Sequence, residues 1–288
     1  MEYNFHSFYL IGAVILFIIL FIFEFLFPLR NRIMKLLFRL FSNLFLSLLV
    51  FTVVFIAVQP AQTFALGFSE SSKFGLLNIF QFNPTLDFII GFLLMDLAFY
   101  YWHLLNHKIP ILWRFHNVHH YDPDLDISTA FRFHFGEILF SSLFRIIQIS
   151  LIGISPITFF IYEIFFTANT LFQHSNIKLP IKFERLLNKI IVTPRMHGIH
   201  HSNYKFETNS NFSTLFSFWD RIHNTILLNI PQNQIVIGVP AYTNLNENKI
   251  SKLIVNPFIK QKEYWIDKSM TFDKRQDHDQ KNKNFLEE

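Results

Sequence analysis

The sequence predicts an all-α, polytopic membrane protein whose helices carry a cytosolic, histidine-rich cap built to hold two metal ions. Three observations carry that prediction. Half of the 288 residues are hydrophobic, 39 of them phenylalanine, and only 16% are charged, against about 25% in an ordinary soluble domain. The apolar residues are gathered into runs of membrane-spanning length. Eight of the thirteen histidines fall into three spaced boxes at the ends of those runs.

Composition narrows the chemistry further. The net charge is +4, and the basic residues stand in loops beside apolar segments. That arrangement suits anionic lipid headgroups and not nucleic acid. Cysteine is absent, which removes disulfides, iron–sulfur clusters and thiolate metal sites. Any metal must be held by His, Asp or Glu. The first residues carry Glu2 and no Lys or Arg, and no small-residue cleavage site follows the first apolar run. The N-terminus therefore does not read as a cleaved signal peptide.

In chain order, Phe8 to Phe27 is a first span containing one charge, Glu24. Arg30, Arg32, Lys35 and Arg39 follow it and favour the cytoplasmic side. Leu40 to Val58 is a second, more polar span, and Gln59 to Pro84 reads as a polar connector. Leu86 to about His107 is a third helix that returns to the cytoplasmic face. Residues 108 to 135 are polar and contain Asp122, Asp124 and Asp126. Glu137 to Ile152 and Pro156 to Phe172 are two further apolar helices broken at Gly153 to Pro156. Whether they cross fully or re-enter, they bring the chain back to the side it left. Lys178, Lys182, Arg185 and Lys189 then suggest a helix lying on headgroups. The expected organisation is residues 1–85 as a hairpin and connector, 86–242 as a catalytic domain, and 243–288 as a polar, peripheral tail.

The histidine boxes carry the chemistry. Asp96, Tyr100, His103 and His107 are spaced i, i+4, i+7 and i+11, one narrow helical stripe. An ionisable Asp within an apolar helix calls for a partner, and a hydrogen bond from a ligand histidine is the expected one. His116, His119 and His120 follow Pro110, and His197, His200 and His201 follow Pro194, with Thr193 as a candidate N-cap. At i, i+3 and i+4, each triplet is expected to share one helix face. His174 stands alone and becomes a candidate ligand only because topology places it with the others. Eight or nine imidazoles exceed the needs of one catalytic zinc and suit two ions. Redox metals that activate dioxygen would give such a site, at a lipid surface, power over inert C–H bonds. A zinc-dependent hydrolase and a metal-binding or transport protein are the rival uses of the same boxes.

Six stretches together resemble the fatty acid hydroxylase/sterol desaturase superfamily of membrane di-iron oxygenases. They are D-L-A-F-Y-Y-W-H-L-L-N-H (96–107), L-W-R-F-H-N-V-H-H (112–120), T-A-F-R-F-H-F-G-E (129–137), F-Q-H-S-N (172–176), T-P-R-M-H-G-I-H-H-S (193–202) and F-W-D-R (218–221). The resemblance implies two irons held by His103, His107, His116, His119, His120, His174, His197, His200 and His201. It further implies dioxygen as co-substrate, an external electron donor such as cytochrome b5 or ferredoxin, and hydroxylation or desaturation of a lipid from the bilayer. His134, with Arg132 and Glu137, is either part of a network around the ligands or a tenth ligand. Two roles are open to Asp220, pairing with Arg221 or orienting a ligand histidine. Phe135, Phe212 and His223 stand where the family usually has other residues. His223 is expected to be structural, and His6 and His278 to be solvated.

Overall fold

The computed structural model describes residues 2–244 and 246–262; His278 lies outside them, and the side chain of His6 is likewise outside what is described. Helices α1 (Glu2–Leu26), α2 (Leu36–Val53), α3 (Gln59–Ser72), α4 (Leu76–Phe80) and α5 (Pro84–Lys108) form the first half. Helices α6 (Pro110–His120), α7 (Phe135–Ile152), α8 (Pro156–His174), α9 (Ile181–Leu187), α10 (Pro194–His200), α11 (Lys205–Thr208), α12 (Phe218–Ile222) and α13 (Ile250–Val255) complete it. Among the described residues β-pairing is confined to three isolated bridges.

Four helical segments are long and apolar enough to cross a membrane: Phe8–Leu26, Leu36–Phe80, Pro84–Lys108 and Phe135–Ile152. The second corrects the expected connector. Residues 59–80 are mostly helix, joined to α2 through a π-helical turn at Val54–Val58 just before Pro60. Proline lacks the N–H that would continue the ladder, and an extra residue in the turn accommodates that loss. Composition alone hid this because Gln, Ser and Gly here sit on a helix packed against α7.

The fifth apolar segment, α8, is not among those four. Its polar residues Asn169, Gln173 and His174 are buried, and its neighbours are α1, α5 and α10. One face of α8 is therefore polar and buried, while Ile157, Ile164 and Phe165 on the same helix are exposed. The α7–α8 turn at Gly153 lies against Gly75 in the turn after α3, so the hairpin reaches the end of the bundle opposite the histidines. Both glycines have positive φ, 74° and 109°, a region costly for residues with a Cβ.

Helix boundaries follow local chemistry. The Asn83 side chain caps α5 by accepting from Leu86 N at 3.0 Å, with Pro84 in the first turn. The helix stops at Ile109, before Pro110. The Ser155 side chain caps α8, and the His134 side chain caps α7. Thr193 occupies the N-cap position of α10, but its side chain makes no capping bond.

The arginines that follow the first span behave differently from the expected lipid-facing cluster. Arg39 is 1% exposed. Its guanidinium pairs with Asp122 through Nε–Oδ1 at 2.8 Å and Nη2–Oδ2 at 2.7 Å, and also with Asp126. Arg32 donates to Glu24 at 2.7 Å, and the other oxygen of Glu24 accepts from Ile127 N and Asn176 N. The one charge of the first span therefore ties the end of α1 to the cap. Composition marks a polar tail from residue 243, yet residues 246–262 pack onto the cap. Leu253 is fully buried, and Asn248 Oδ1 accepts from Arg132 at 2.7 Å.

Candidate metal centre

Nine buried or half-buried histidines converge at the cap end of α5 and α8. They form two groups, within each of which one nitrogen per ring lies within 4.8 Å of all the others. The first group is His103, His107, His116, His120 and His200; the second is His119, His174, His197 and His201. These are the nine histidines that the sequence resemblance singles out. The triplets do not each serve one site, however. Consecutive residues on a helix point about 100° apart, so His119 and His120 part company, as do His200 and His201. The i, i+4 pairs His116/His120 and His197/His201 stay together. The groups abut: the His120 and His201 rings stack at 4.3 Å between centroids.

Fixed acceptors orient five of the rings. His103 Nδ1 donates to Phe212 O at 2.8 Å, His116 Nδ1 to Glu137 Oε1 at 2.8 Å, and His119 Nδ1 to Arg132 O at 3.2 Å. His174 Nδ1 donates to Thr170 O and His200 Nδ1 to Ser210 O, both at 2.7 Å. A carbonyl or carboxylate only accepts, so in these five rings the proton sits on Nδ1 and Nε2 is bare when the ring is neutral.

The bare nitrogens test whether a metal fits. In the first group, Nε2 of His107, His116, His120 and His200 is buried without a hydrogen-bond partner. In the second, His174 Nε2 lies 3.2 Å from His119 Nε2 and 3.0 Å from His197 Nε2. The His119 and His174 lone pairs face each other across a buried gap, an arrangement that a cation between them relieves. Burial, reinforced by the neighbouring histidines, holds His119, His120, His197 and His201 well below the ordinary histidine range. Burial likewise brings His200 down to about 3. Neutral, all-nitrogen cages of this kind suit a pair of borderline transition-metal ions, and the residues present fit them.

These shifts have a pH consequence. The unfolded His200 ring titrates near 6.5 and the folded one near 3. Between those values the unfolded chain binds more protons, so stability falls as pH falls. The metal-stripped protein is expected to lose thermal stability from pH 7.5 to pH 5, read by melting in detergent. An unchanged melting temperature over that range contradicts the burial.

The surrounding residues correct several expectations. Asp96 takes no histidine. Its Oδ2 accepts from Phe216 N at 3.0 Å and Trp219 Nε1 at 2.8 Å, clamping the 212–219 loop to α5. Tyr100, on the same stripe, bonds Thr225 at 2.9 Å. His134 joins neither group. Its Nδ1 accepts from Gly136 N, and its Nε2 donates to Ile254 O. Glu137 does meet a histidine of the first group, His116. Asp220 does not pair with Arg221, which donates to Asn188. It accepts from Phe212 N, Ser213 N and Thr225, and so holds the loop whose Phe212 carbonyl orients His103. His223 is structural, stacked on Tyr100 at 4.6 Å and bonded to Tyr101. Sequence reading missed the carbonyls of Arg132, Thr170, Ser210 and Phe212, because a backbone acceptor carries no residue signature.

A family model described as fatty acid hydroxylase matches residues 88–225. Human cholesterol 25-hydroxylase is 29% identical over 140 residues, covering 46% of this chain and 48% of that protein. The ornithine lipid hydroxylase of Rhizobium tropici is 31% identical over 146 residues, covering 50% and 43%. Human alkylglycerol monooxygenase is 29% identical over 142 residues, covering 47% and 29%. The chain thus spans about half the length, or less, of the curated relatives it matches. No solved structure matches it. Residues 88–225, just under half of the chain, carry all nine clustered histidines, and their match together with these relatives supports a place for the chain in the fatty acid hydroxylase/sterol desaturase superfamily.

Proposed function

We propose that the protein is a membrane-embedded oxygenase that holds two irons in its histidine cages and hydroxylates a C–H bond of a bilayer lipid. The observation carrying this reading is the pair of abutting, buried cages of neutral imidazoles, five and four rings. The named activities of the relatives support it, each being a hydroxylase or monooxygenase acting on a lipid. Bound there, two irons supply the oxidising power from dioxygen that acid–base groups lack.

The chain's own residues do the rest. His103, His107, His116, His120 and His200 would hold one ion, and His119, His174, His197 and His201 the other. Glu137 and the four carbonyls keep the rings in one tautomer and orientation. Complete burial of His200 and His201 keeps bulk water from the space between the groups. Hydroxylation places one oxygen atom in the product and reduces the other to water with two electrons. No residue here supplies those electrons in repeated turnovers, so an external donor of the cytochrome b5 or ferredoxin type is required. The cages sit at the end of the bundle that carries Arg30, Arg32 and Lys35, which supports a cytoplasmic orientation.

Comparing membranes with and without active protein under isotopically labelled dioxygen tests the proposal. Label is expected in one lipid as a new hydroxyl. An unlabelled, newly unsaturated lipid replaces hydroxylation with desaturation. Absence of any oxygen-dependent change in the lipids overturns the reading.

A further inference from the structure

Away from the histidines, the helices bury an ion pair that the metal chemistry does not use. Arg145 lies in the middle of α7, within an apolar segment long enough to cross a membrane. It is 7% exposed, and its guanidinium lies 5.5 to 5.9 Å from the ring centroids of Phe99, Phe159, Tyr162 and Phe166. Its Nη1 donates to Gln148 Oε1 at 3.1 Å, and Gln148 is in turn fixed to Met95 O. Its Nη2 lies 3.2 Å from Glu163 Oε1 on α8, whose side chain is 26% exposed. That contact is an ion pair without hydrogen-bond geometry: Glu163 Oε1 is buried and has no hydrogen-bond partner.

Charged groups within a bilayer are costly and mark functional sites by default. A pair serving only to glue α7 to α8 would be expected to close on itself. Here the Oε1 contact with Arg145 lacks hydrogen-bond geometry, and 26% of the Glu163 side chain stays open to the surroundings. The position of Glu163 supplies the second half of the argument. Glu163, Thr167, Thr170 and His174 are spaced i, i+4, i+7 and i+11 on α8, a single stripe along the helix. Eleven residues at about 1.5 Å each separate Glu163 from His174 by about 16 Å. Thr167 bonds Tyr9 of α1 at 2.7 Å, so the stripe follows the seam between α1 and α8.

We propose that Glu163, held by Arg145, is the polar anchor of the substrate site, receiving the hydroxyl of a neutral, hydroxyl-bearing lipid. The hydroxyl donates to the carboxylate, and the carbon to be oxidised reaches the second histidine group about 16 Å away. A neutral hydroxyl fits better than a charged headgroup, because a further charge would have to be desolvated beside the pair. The inference rests on the oxygenase reading for the reacting carbon, but lipid binding by Glu163 is measurable without turnover.

The test uses the full chain in phosphatidylcholine nanodiscs. The probes are photoreactive cholesterol and photoreactive hexadecanol, each with a counterpart lacking the hydroxyl, and the labelled peptides are mapped. The hydroxyl probes are expected to label α1 and α8, and the counterparts to label them about tenfold less, as for loss of a hydrogen bond to a charged group. Preference between the sterol and the linear alcohol identifies the source of the hydroxyl. Glu163→Gln is expected to lower labelling similarly while bound metal is unchanged. Should that variant misfold, Thr167→Trp, which puts a bulky ring into the seam in place of the Tyr9 hydrogen bond, must lower it as well. Equal labelling by the hydroxyl-free probes, or unchanged labelling of both variants, makes the pair a helix–helix contact and sinks the anchor. Labelled-oxygen incorporation is read in parallel. Hydroxyl-dependent labelling without lipid oxidation supports the anchor and removes the oxygenase reading, whereas oxidation indifferent to the hydroxyl removes the anchor alone.

Discussion

Replacing His119 with alanine is expected to abolish lipid oxidation and deplete bound iron while leaving the protein inserted in the membrane. His119 contributes one of only four nitrogens to the second group. Its ring is 2% exposed and held by Arg132 O and by a flat stack on Phe133 at 4.5 Å. Among the described residues, the histidines around it already belong to one group or the other. His200→Ala should act on the first group in the same way. Glu137→Gln should be milder, weakening iron binding about 10–100-fold, since it alters the partner of a ligand and not the ligand. Metal analysis of the purified variants, beside product formation, checks the series. An active, metal-replete His119→Ala protein removes the ligand assignment.

Arg39→Met is expected to be the most destabilising change outside the metal centre. The side chain is buried, as are Asp122 and Asp126. Breaking a buried pair by removing one partner leaves uncompensated charge and costs about 3–5 kcal/mol. Asp122 also accepts from Thr129 at 3.0 Å, and Asn43 beside Arg39 donates to Ser128 and accepts from Arg132. Arg132 in turn carries the carbonyl that orients His119. The substitution should therefore lower the melting temperature and reduce metal retention together. Arg39→Lys should rescue only in part, because an ammonium cannot match the two-pronged contact with Asp122. An unchanged melting temperature for Arg39→Met means that the aspartates find other partners.

The legible parts of this protein are those whose signal is local. Apolar length marks α1, α5 and α7, and Pro110, Pro156 and Pro194 mark helix starts. Histidine spacing marked eight of the nine clustered residues, His174 being the exception, because spacing along a helix is also spacing in space. Where two roles compete for one residue type, sequence was weaker. Asp96 looked like a histidine's partner, since an intrahelical stripe is the only neighbourhood a sequence displays. Its actual partners, Phe216 N and Trp219, lie 120 and 123 residues away. The connector at 59–84 looked like a loop because its polar residues dilute the apolar signal, yet Gln59, Thr63, Glu70, Ser71 and Ser72 stay exposed on a helix that buries Ala65 and Ser69.

By itself, the sequence determined the helical membrane class and the three spaced histidine boxes, since each follows from composition or from intervals of three and four residues, whereas His174 entered only through topology and family resemblance. Tertiary structure alone decided how the nine divide into five and four, which carbonyls fix their tautomers, and that Arg39 faces Asp122 and not lipid. It alone placed Arg145 against Glu163, 16 Å or so along α8 from His174. The physical reason is the same in each case. Local periodicity sets the face on which a side chain emerges, but the group that satisfies it comes from wherever packing brings a distant segment.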